Sequence, residues 1–390
     1  MNWDFLIAGK DALHVTTDSR KVTPGCVFVA LKGEHFDGND FVEQARHDGA
    51  EYVICGENAL AELQDLARAW RRALGLPILA ITGTNGKTTT KELCAAVLAT
   101  KYNLYYTQGN LNNQIGVPLT LLSITRAHQM AIVEMGASHL GDIKELVEIA
   151  EPNFGLITNV GRAHLQGFGS FEGVMRTKGE LYEWLVNHDG IIFRNADNPY
   201  LEQMTFDVLK DEQRAHIVPY HTETMPEGTH LVGNYNAENI SAALRVGEHF
   251  GISREQGLAA IRAYIPSNNR SQLVQTGKNT VVVDAYNANP TSMTAAINAF
   301  NGDCYILGAM RELGQYTHLE HQNIVNMLLE RKAEKVFLVG EEYQQTTAPY
   351  PVFDNVEALY EYLTYNPLVG HHILLKGSRS TQMEKVLPIL

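Results

Sequence analysis

Ile78-Leu79-Ala80-Ile81, then Thr82-Gly83-Thr84-Asn85-Gly86-Lys87-Thr88-Thr89, then a helix-length stretch through Ala99, is the passage on which the reading of this chain turns. An apolar strand running through a glycine-containing loop into a helix leaves bare backbone N–H groups and a helix N-terminus around an anion, a geometry that suits phosphate. Lys87 adds a point charge, and the Thr88 hydroxyl a ligand for Mg²⁺. A plain glycine turn explains Gly83 and Gly86 but not Lys87-Thr88-Thr89. The general pattern G-x-x-x-x-G-K-[ST] requires glycine at position 81, where Ile81 stands, so the loop is a variant. Gly83, Thr84, Asn85, Gly86, Lys87, Thr88 and Thr89 are therefore the candidate nucleotide-binding residues.

Outward from this loop, short apolar runs alternate with longer amphipathic stretches, the pattern of a parallel α/β sheet. Strands are expected at Pro77–Ile81, Met130–Met135, Phe154–Val160 and Gly190–Arg194. The pattern recurs after Arg270, at Thr280–Asp284, Cys304–Leu307, Lys335–Val339 and His371–Leu375, with helices at Glu320–Arg331 and Asn355–Tyr365. Before Pro77, Val27–Leu31, Tyr52–Cys55 and a helical Asn58–Leu74 make a smaller module. The expected architecture is thus α/β in three domains: 1–76, small and N-terminal; 77–270, central, with a mostly parallel sheet; and 271–390, C-terminal and Rossmann-like. A length of 390 residues accommodates this at roughly 150 residues per domain.

The formal net charge of −13 sets the whole-molecule field against polyanions, so no nucleic-acid partner is expected, and an anionic ligand needs a local cluster. Cys26, Cys55, Cys94 and Cys304 form no C-x-x-C pair, which fits reduced thiols in a cytoplasmic protein rather than a disulfide framework. Met1–Lys10 lacks a basic start and an apolar core, and no apolar run approaches the ~18 residues of a membrane span. Neither a secretory signal nor membrane insertion is expected.

The loop resembles that of the Mur ligase family of ATP-dependent amino-acid and peptide ligases, which includes the folylpolyglutamate synthetases. Further blocks extend the resemblance: Thr17-Asp18-Ser19-Arg20, Gly109–Pro118, Asp284-Ala285-Tyr286-Asn287-Ala288-Asn289-Pro290, Leu307–Gly314 and Leu375-Lys376-Gly377-Ser378-Arg379. Together they touch all three expected domains. They are most similar to the branch that joins D-alanyl-D-alanine to UDP-MurNAc-tripeptide, and the resemblance implies those two substrates, ATP and two Mg²⁺ sites; a monomer is expected.

By the same resemblance Glu134, at a strand end, is a Mg²⁺ ligand beside Thr88, and His164 belongs to a second Mg²⁺. Lys178 in Lys178-Gly179-Glu180 is implied to react with CO₂, becoming a carbamate with carboxylate-like oxygens; a bare ammonium would repel the metals. Lys87, Glu134, His164 and Lys178 form the implied catalytic set. Asn239 is implied to read adenine, although Tyr235 stands where many members carry His. Arg270 is assigned to the ATP phosphates and Asp284 to the ribose hydroxyls. For the UDP moiety the implied contacts are Ser19, Arg20, Lys32 and Phe36. The remaining substrate contacts are Asn110, Asn112, Asn113, Tyr286, Asn287, Asn289, Lys376 and Arg379.

The expected reaction is amide formation through an acyl phosphate on the tripeptide carboxylate. Another ligase of the same type, folylpolyglutamate-synthetase-like, would keep the loop without both Asn110–Pro118 and Asp284–Pro290. A catalytically silent nucleotide-sugar-binding homologue would not need the metal set.

Overall fold

The computed structural model describes residues 2–34, 36–208, 216–266 and 269–390; His35, within the segment quoted for the UDP contacts, lies outside them. Three sheets organise these residues. The first is a three-stranded parallel sheet of β1 (Val15–Thr16), β2 (Val27–Val29) and β3 (Tyr52–Ile54). The second has six parallel strands: β4 (Ile78–Thr82), β5 (Leu104–Tyr106), β6 (Met130–Glu134), β7 (Phe154–Ile157), β8 (Ile191–Asn195) and β9 (His216–Tyr220). The third contains β10 (Gln272–Gln275), β11 (Thr280–Asp284), β12 (Cys304–Gly308), β13 (Lys335–Val339), β14 (Val352–Phe353) and β15 (His372–Lys376).

In the second sheet the order is β5-β6-β4-β7-β8-β9. From β4 the chain winds to one side through β5 and β6, then to the other through β7, β8 and β9, so the direction reverses beside β4. Ligands of open α/β sheets collect at such a reversal, outside the carboxyl ends of the strands. β4 and β6 are wholly buried, as strands covered by helices on both faces must be. Pairing of Ile81 with Glu134 and of Thr82 with Ile157 brings the ends of β6 and β7 level with the start of the glycine loop.

The third sheet, ordered β10-β11-β15-β12-β13-β14, is parallel except for β10, which runs antiparallel to β11. β11 and β15 are neighbours in register, with Asp284 opposite Lys376, so these two chemistry-bearing residues end adjacent strands. The sheet is therefore mixed, and β10, a short edge strand with alternating exposure, is absent from the sequence-based assignment.

Most expected strands shift by one or two residues at their ends. The expected strand Phe154–Val160 is cut back to β7: Thr158 N still donates to Thr82 O at 2.9 Å, but the side chains of Thr158 and Asn159 turn to the glycine loop. The helix expected from Asn58 spans Ala59–Leu74 and packs against the central sheet. Leu63, Leu66 and Trp70 share one apolar core with Ile78, Val117 and Leu146 of the central sheet and its helices. Trp70 Nε1 donates to Ile124 O at 2.8 Å, and Arg71 donates to Ala150 O and Glu151 O.

Candidate active site

The loop between β4 and the helix Lys87–Leu98 has the backbone that its glycines allow. Gly83 has φ +146°, and a Cβ there would lie 1.9 Å from Thr158 Oγ1. Gly86 has φ +78° and caps the helix; a Cβ would lie 2.5 Å from Asn239 Oδ1. Both positions exclude any side chain. The loop is braced from β7: Thr84 N donates to Asn159 O (2.9 Å), and Thr158 Oγ1 donates to Asn85 O (2.6 Å). Lys87 Nζ folds onto the loop carbonyls of Gly83 and Thr84, at 2.8 and 3.1 Å. Desolvation brings its ammonium down to about 8, against the pull of Glu134 and with Arg270 adding repulsion.

Glu134, only 1% exposed, ends β6 beneath the loop. Its Oε1 accepts from Thr88 Oγ1 (3.2 Å) and Asn112 Nδ2 (2.8 Å), and its backbone N–H donates to Thr107 Oγ1 (2.9 Å). Its Oε2 is buried with no hydrogen-bond partner, an unusual state for a carboxylate oxygen and one that a cation would relieve. The nearest charge is Lys91, fully buried one turn along the helix from Lys87, with Nζ 3.9 Å from Glu134 Oε2 and 3.0 Å from Glu92 Oε1. Lys91 also donates to Thr107 O at 2.6 Å. Sequence reasoning missed Lys91; its i+4 spacing from Lys87 was the available signal.

A cavity of about 720 Å³ opens where the carboxyl ends of the second and third sheets face each other. Thr84 through Thr89, Asn110, Asn112, Asn113, Glu134, His164, Asn239, Arg270, Asp284, Tyr286, Asn287, Lys376 and Arg379 all line it. Most of the expected nucleotide and acceptor residues thus converge. Gly83, Lys178, Asn289 and the four N-terminal candidates do not line it.

Several of the converging residues are already engaged. Asn113 Oδ1 accepts from Gly116 N and Ile115 N at the start of the next helix. Asn239 Oδ1 accepts from Thr90 Oγ1 at 3.0 Å, and its amide donates to the buried Asn236, a further lining residue that sequence reasoning passed over. Lys376, itself buried, donates to Asp284 Oδ2 (2.5 Å) and Asn287 O (3.1 Å), so it faces a carboxylate of its own chain. Two guanidinium groups approach the Tyr286 ring, with Arg270 Cζ 3.7 Å and Arg379 Cζ 5.5 Å from its centroid. Arg270 Nε is buried without a partner. Tyr235 OH meets Ser271 Oγ at 2.7 Å.

His164 has φ +49°, and its Nδ1 contacts Glu312 Oε2 of the C-terminal unit. Desolvation lowers its pKa, with Glu312 opposing. Lys178, 2% exposed, sits on the helix Phe171–Asn187 with Nζ 5.8 Å from the Phe168 ring centroid. Desolvation, aided by Lys87, drives its pKa well below the ordinary lysine value. Among the described residues no three His, Cys, Asp or Glu side chains form a preformed metal cluster. The expected ligand set, with a threonine and a modified lysine, is of another kind.

The N-terminal candidates lie apart from the cavity. Arg20, largely exposed, pairs with Asp18 of its own turn at 2.9 Å; Lys32 approaches Asp37 at 3.5 Å; Phe36 is 62% exposed. No helix among the described residues is long and apolar enough to cross a membrane.

Comparison with known proteins agrees with this geometry. Residues 13–96 match the Mur ligase family catalytic domain, 81–224 the Mur ligase middle domain, and 269–379 the Mur ligase glutamate ligase domain. The chain is 32% identical to the UDP-N-acetylmuramoyl-tripeptide–D-alanyl-D-alanine ligase of Bacillus subtilis (strain 168), covering 96% of this chain and 92% of the relative. The Escherichia coli (strain K12) ligase of the same name is 33% identical, over 96% and 93%. Among solved structures, MurF ligase from Thermotoga maritima in complex with ADP superimposes with a TM-score of 0.85 at 26% identity, covering all of this chain and 98% of that one. The expected three-domain α/β fold is the fold of these ligases. By its three matched domains and its full-length relatives, the chain belongs to the Mur ligase family.

Proposed function

We propose that this chain joins D-alanyl-D-alanine to UDP-MurNAc-tripeptide at the expense of ATP, as a cytoplasmic step of peptidoglycan precursor synthesis. The observation that carries the reading is the single cavity in which the phosphate loop, Glu134 and the Asp284–Arg379 group meet. Full-length relatives named for this reaction support the choice of substrates. The partition into 1–76, 77–270 and 271–390 belongs to the same proposal, with the middle and last parts meeting at the cavity.

In this reading a tripeptide carboxylate oxygen attacks the γ-phosphorus, ADP leaves, and an acyl phosphate forms. The dipeptide amine, having lost a proton, attacks the acyl carbon, and inorganic phosphate departs as the amide forms. Lys87 leaves the Gly83 and Thr84 carbonyls to meet the phosphates, and the loop's N–H groups provide fixed dipoles. Arg270, its Nε unpartnered, reaches the same phosphates. Asn239 and Asp284 border the space for the adenosine, while Tyr286, Asn287, Asn110 and Arg379 border that for the acceptor.

The unpartnered buried oxygen of Glu134 beside the Thr88 hydroxyl fits a Mg²⁺ ion, a hard cation that takes oxygen ligands. Thr88 and Glu134 would hold one ion, and His164 with a carbamate on Lys178 the second. When bound, the ions supply positive charge to the phosphoryl group in transfer. The burial of Lys178 suits a side chain destined to carry a carbamate, because an isolated ammonium there has lost its hydration.

The test is incubation with ATP, Mg²⁺, UDP-MurNAc-tripeptide and D-alanyl-D-alanine, with phosphate release and product mass followed together. A pentapeptide mass that requires all four components is expected. Phosphate release with no new amide would reject the acceptor, and ATP binding without turnover would favour a silent homologue.

A further inference from the structure

Asn289 does not reach the cavity, although it stands in the same turn as Tyr286 and Asn287, which do. Buried at the start of the helix Pro290–Ala299, it makes two kinds of bond. Its Oδ1 accepts from Ser292 N at 2.9 Å and caps that helix. Its Nδ2 crosses to the central unit and donates to Asn85 Oδ1 at 2.8 Å, while Asn85 Nδ2 returns toward Asn289 Oδ1 at 3.4 Å. The partners are 204 residues apart in sequence.

Asn85 is the tip of the phosphate loop. Its backbone N–H donates to Asn159 Oδ1 (3.0 Å), and its carbonyl accepts from Thr158 Oγ1 (2.6 Å) and Asn159 Nδ2 (3.1 Å). The β7 side therefore fixes its main chain, and the side chain is left to report to the C-terminal unit. Neighbouring contacts follow the same line: Arg162 N donates to Thr291 Oγ1 at 3.1 Å, and Arg162 pairs with Glu320 at 3.2 Å. The turn that carries Tyr286 and Asn287 to the cavity and ends in Asn289 is thus tied, through one partly buried amide pair, to the loop that receives phosphate.

We propose that Asn289 is a positioning residue that acts through Asn85: the reciprocal amide pair holds the phosphate loop and the acceptor-side turn Tyr286–Asn287 in one arrangement, so that nucleotide binding and domain placement are coupled. The inference rests on the function proposed above, in that nucleotide and acceptor belong to the two sides being joined. Two hydrogen bonds between neutral amides, lost together, correspond to a change of roughly tenfold in an equilibrium constant.

Asn289→Ser separates the two roles, because serine is as good an N-cap as asparagine but is too short to reach Asn85. Asn289→Thr serves if the first variant fails to fold, and a melting temperature near wild type shows that the cap has survived. ADP affinity with Mg²⁺ is measured by calorimetry for wild type, Asn289→Ser, Asn85→Ala and the double variant. The expected result is a roughly tenfold weaker affinity in each single variant and no further loss in the double. Small-angle scattering with ADP should give a larger radius of gyration for Asn289→Ser than for wild type. Wild-type ADP affinity in Asn289→Ser, or additive losses in the double variant, would overturn the proposal. Neither readout depends on amide synthesis, so an inactive wild type that still shows the coupling would reject the assigned reaction and leave the amide pair standing.

Discussion

The cleft between the second and third sheets and the segments that follow β1 and β2 at the N-terminal face both carry candidate residues, yet they are built differently. In the cleft several side chains have partners from another element: Thr88 and Asn112 on Glu134, Lys376 on Asp284, Asn85 on Asn289. On the N-terminal face Arg20 turns back to Asp18 two residues away, Lys32 to Asp37, and Phe36 projects into solvent. The first region is held ready for charge that appears there, in the way that fixed dipoles and buried ions favour a developing transition state. The second is a set of flexible groups whose arrangement a large substrate must organise, at a cost in side-chain entropy. Substitutions should therefore act on rate or folding in the cleft, and on substrate affinity alone at the N-terminal face.

The largest effect is expected from Lys87→Ala, which should lower turnover by roughly three orders of magnitude. Circular dichroism should show the fold intact, since Lys87 bonds only to carbonyls of its own loop; near-normal turnover would remove Lys87 from the mechanism. Lys91→Met should act on stability instead. It strands Glu134 and Glu92 without their buried counter-ion, and denaturant unfolding should show a loss of about 3 kcal/mol or more. An unchanged midpoint would mean that Lys91 is not the counter-ion of Glu134.

Lys178→Ala should reduce turnover about a hundredfold, comparable to removing one charge-stabilising group. In the unaltered protein, CO₂-depleted buffer should produce a bicarbonate-reversible loss of activity; full activity with an unmodified amine would exclude the carbamate. The smallest effects belong to Arg20→Ala and Phe36→Ala. Each should raise the KM for UDP-MurNAc-tripeptide several-fold, with kcat and melting temperature unchanged, because exposed side chains contribute little to folding. A fall in kcat of the size expected for Lys87→Ala would erase the contrast between the regions.

The same contrast explains what could be read from the chain before its structure. β4 and its loop were legible because backbone geometry is local: an apolar run, glycines where φ is positive, and a helix carrying lysine and threonine at its start. The end of β7 was misread, since nothing in Thr158-Asn159 announces that these side chains turn to Asn85. Gln272-Leu273-Val274-Gln275 was passed over because an antiparallel edge strand with two glutamines carries little apolar signal. Asn113 lines the cavity while its Oδ1 bonds to Gly116 N, and Asn289 caps the next helix and pairs with Asn85, bonds that residue type alone does not reveal. Lys91 offers only its i+4 spacing from Lys87, because its partners Thr107 and Glu134 lie 16 and 43 residues away in the chain. Tertiary neighbours decide such roles.

In the proposed reaction this cleft activates a carboxylate by phosphorylation, and the fate of one oxygen atom tests that step. UDP-MurNAc-tripeptide labelled with ¹⁸O in its terminal carboxylate is turned over with ATP and D-alanyl-D-alanine, and the released phosphate is weighed by mass spectrometry. One ¹⁸O per phosphate, with the pentapeptide as co-product, is the predicted result. Unlabelled phosphate would exclude the acyl phosphate, because ATP would then be cleaved without passing its phosphoryl group to the peptide.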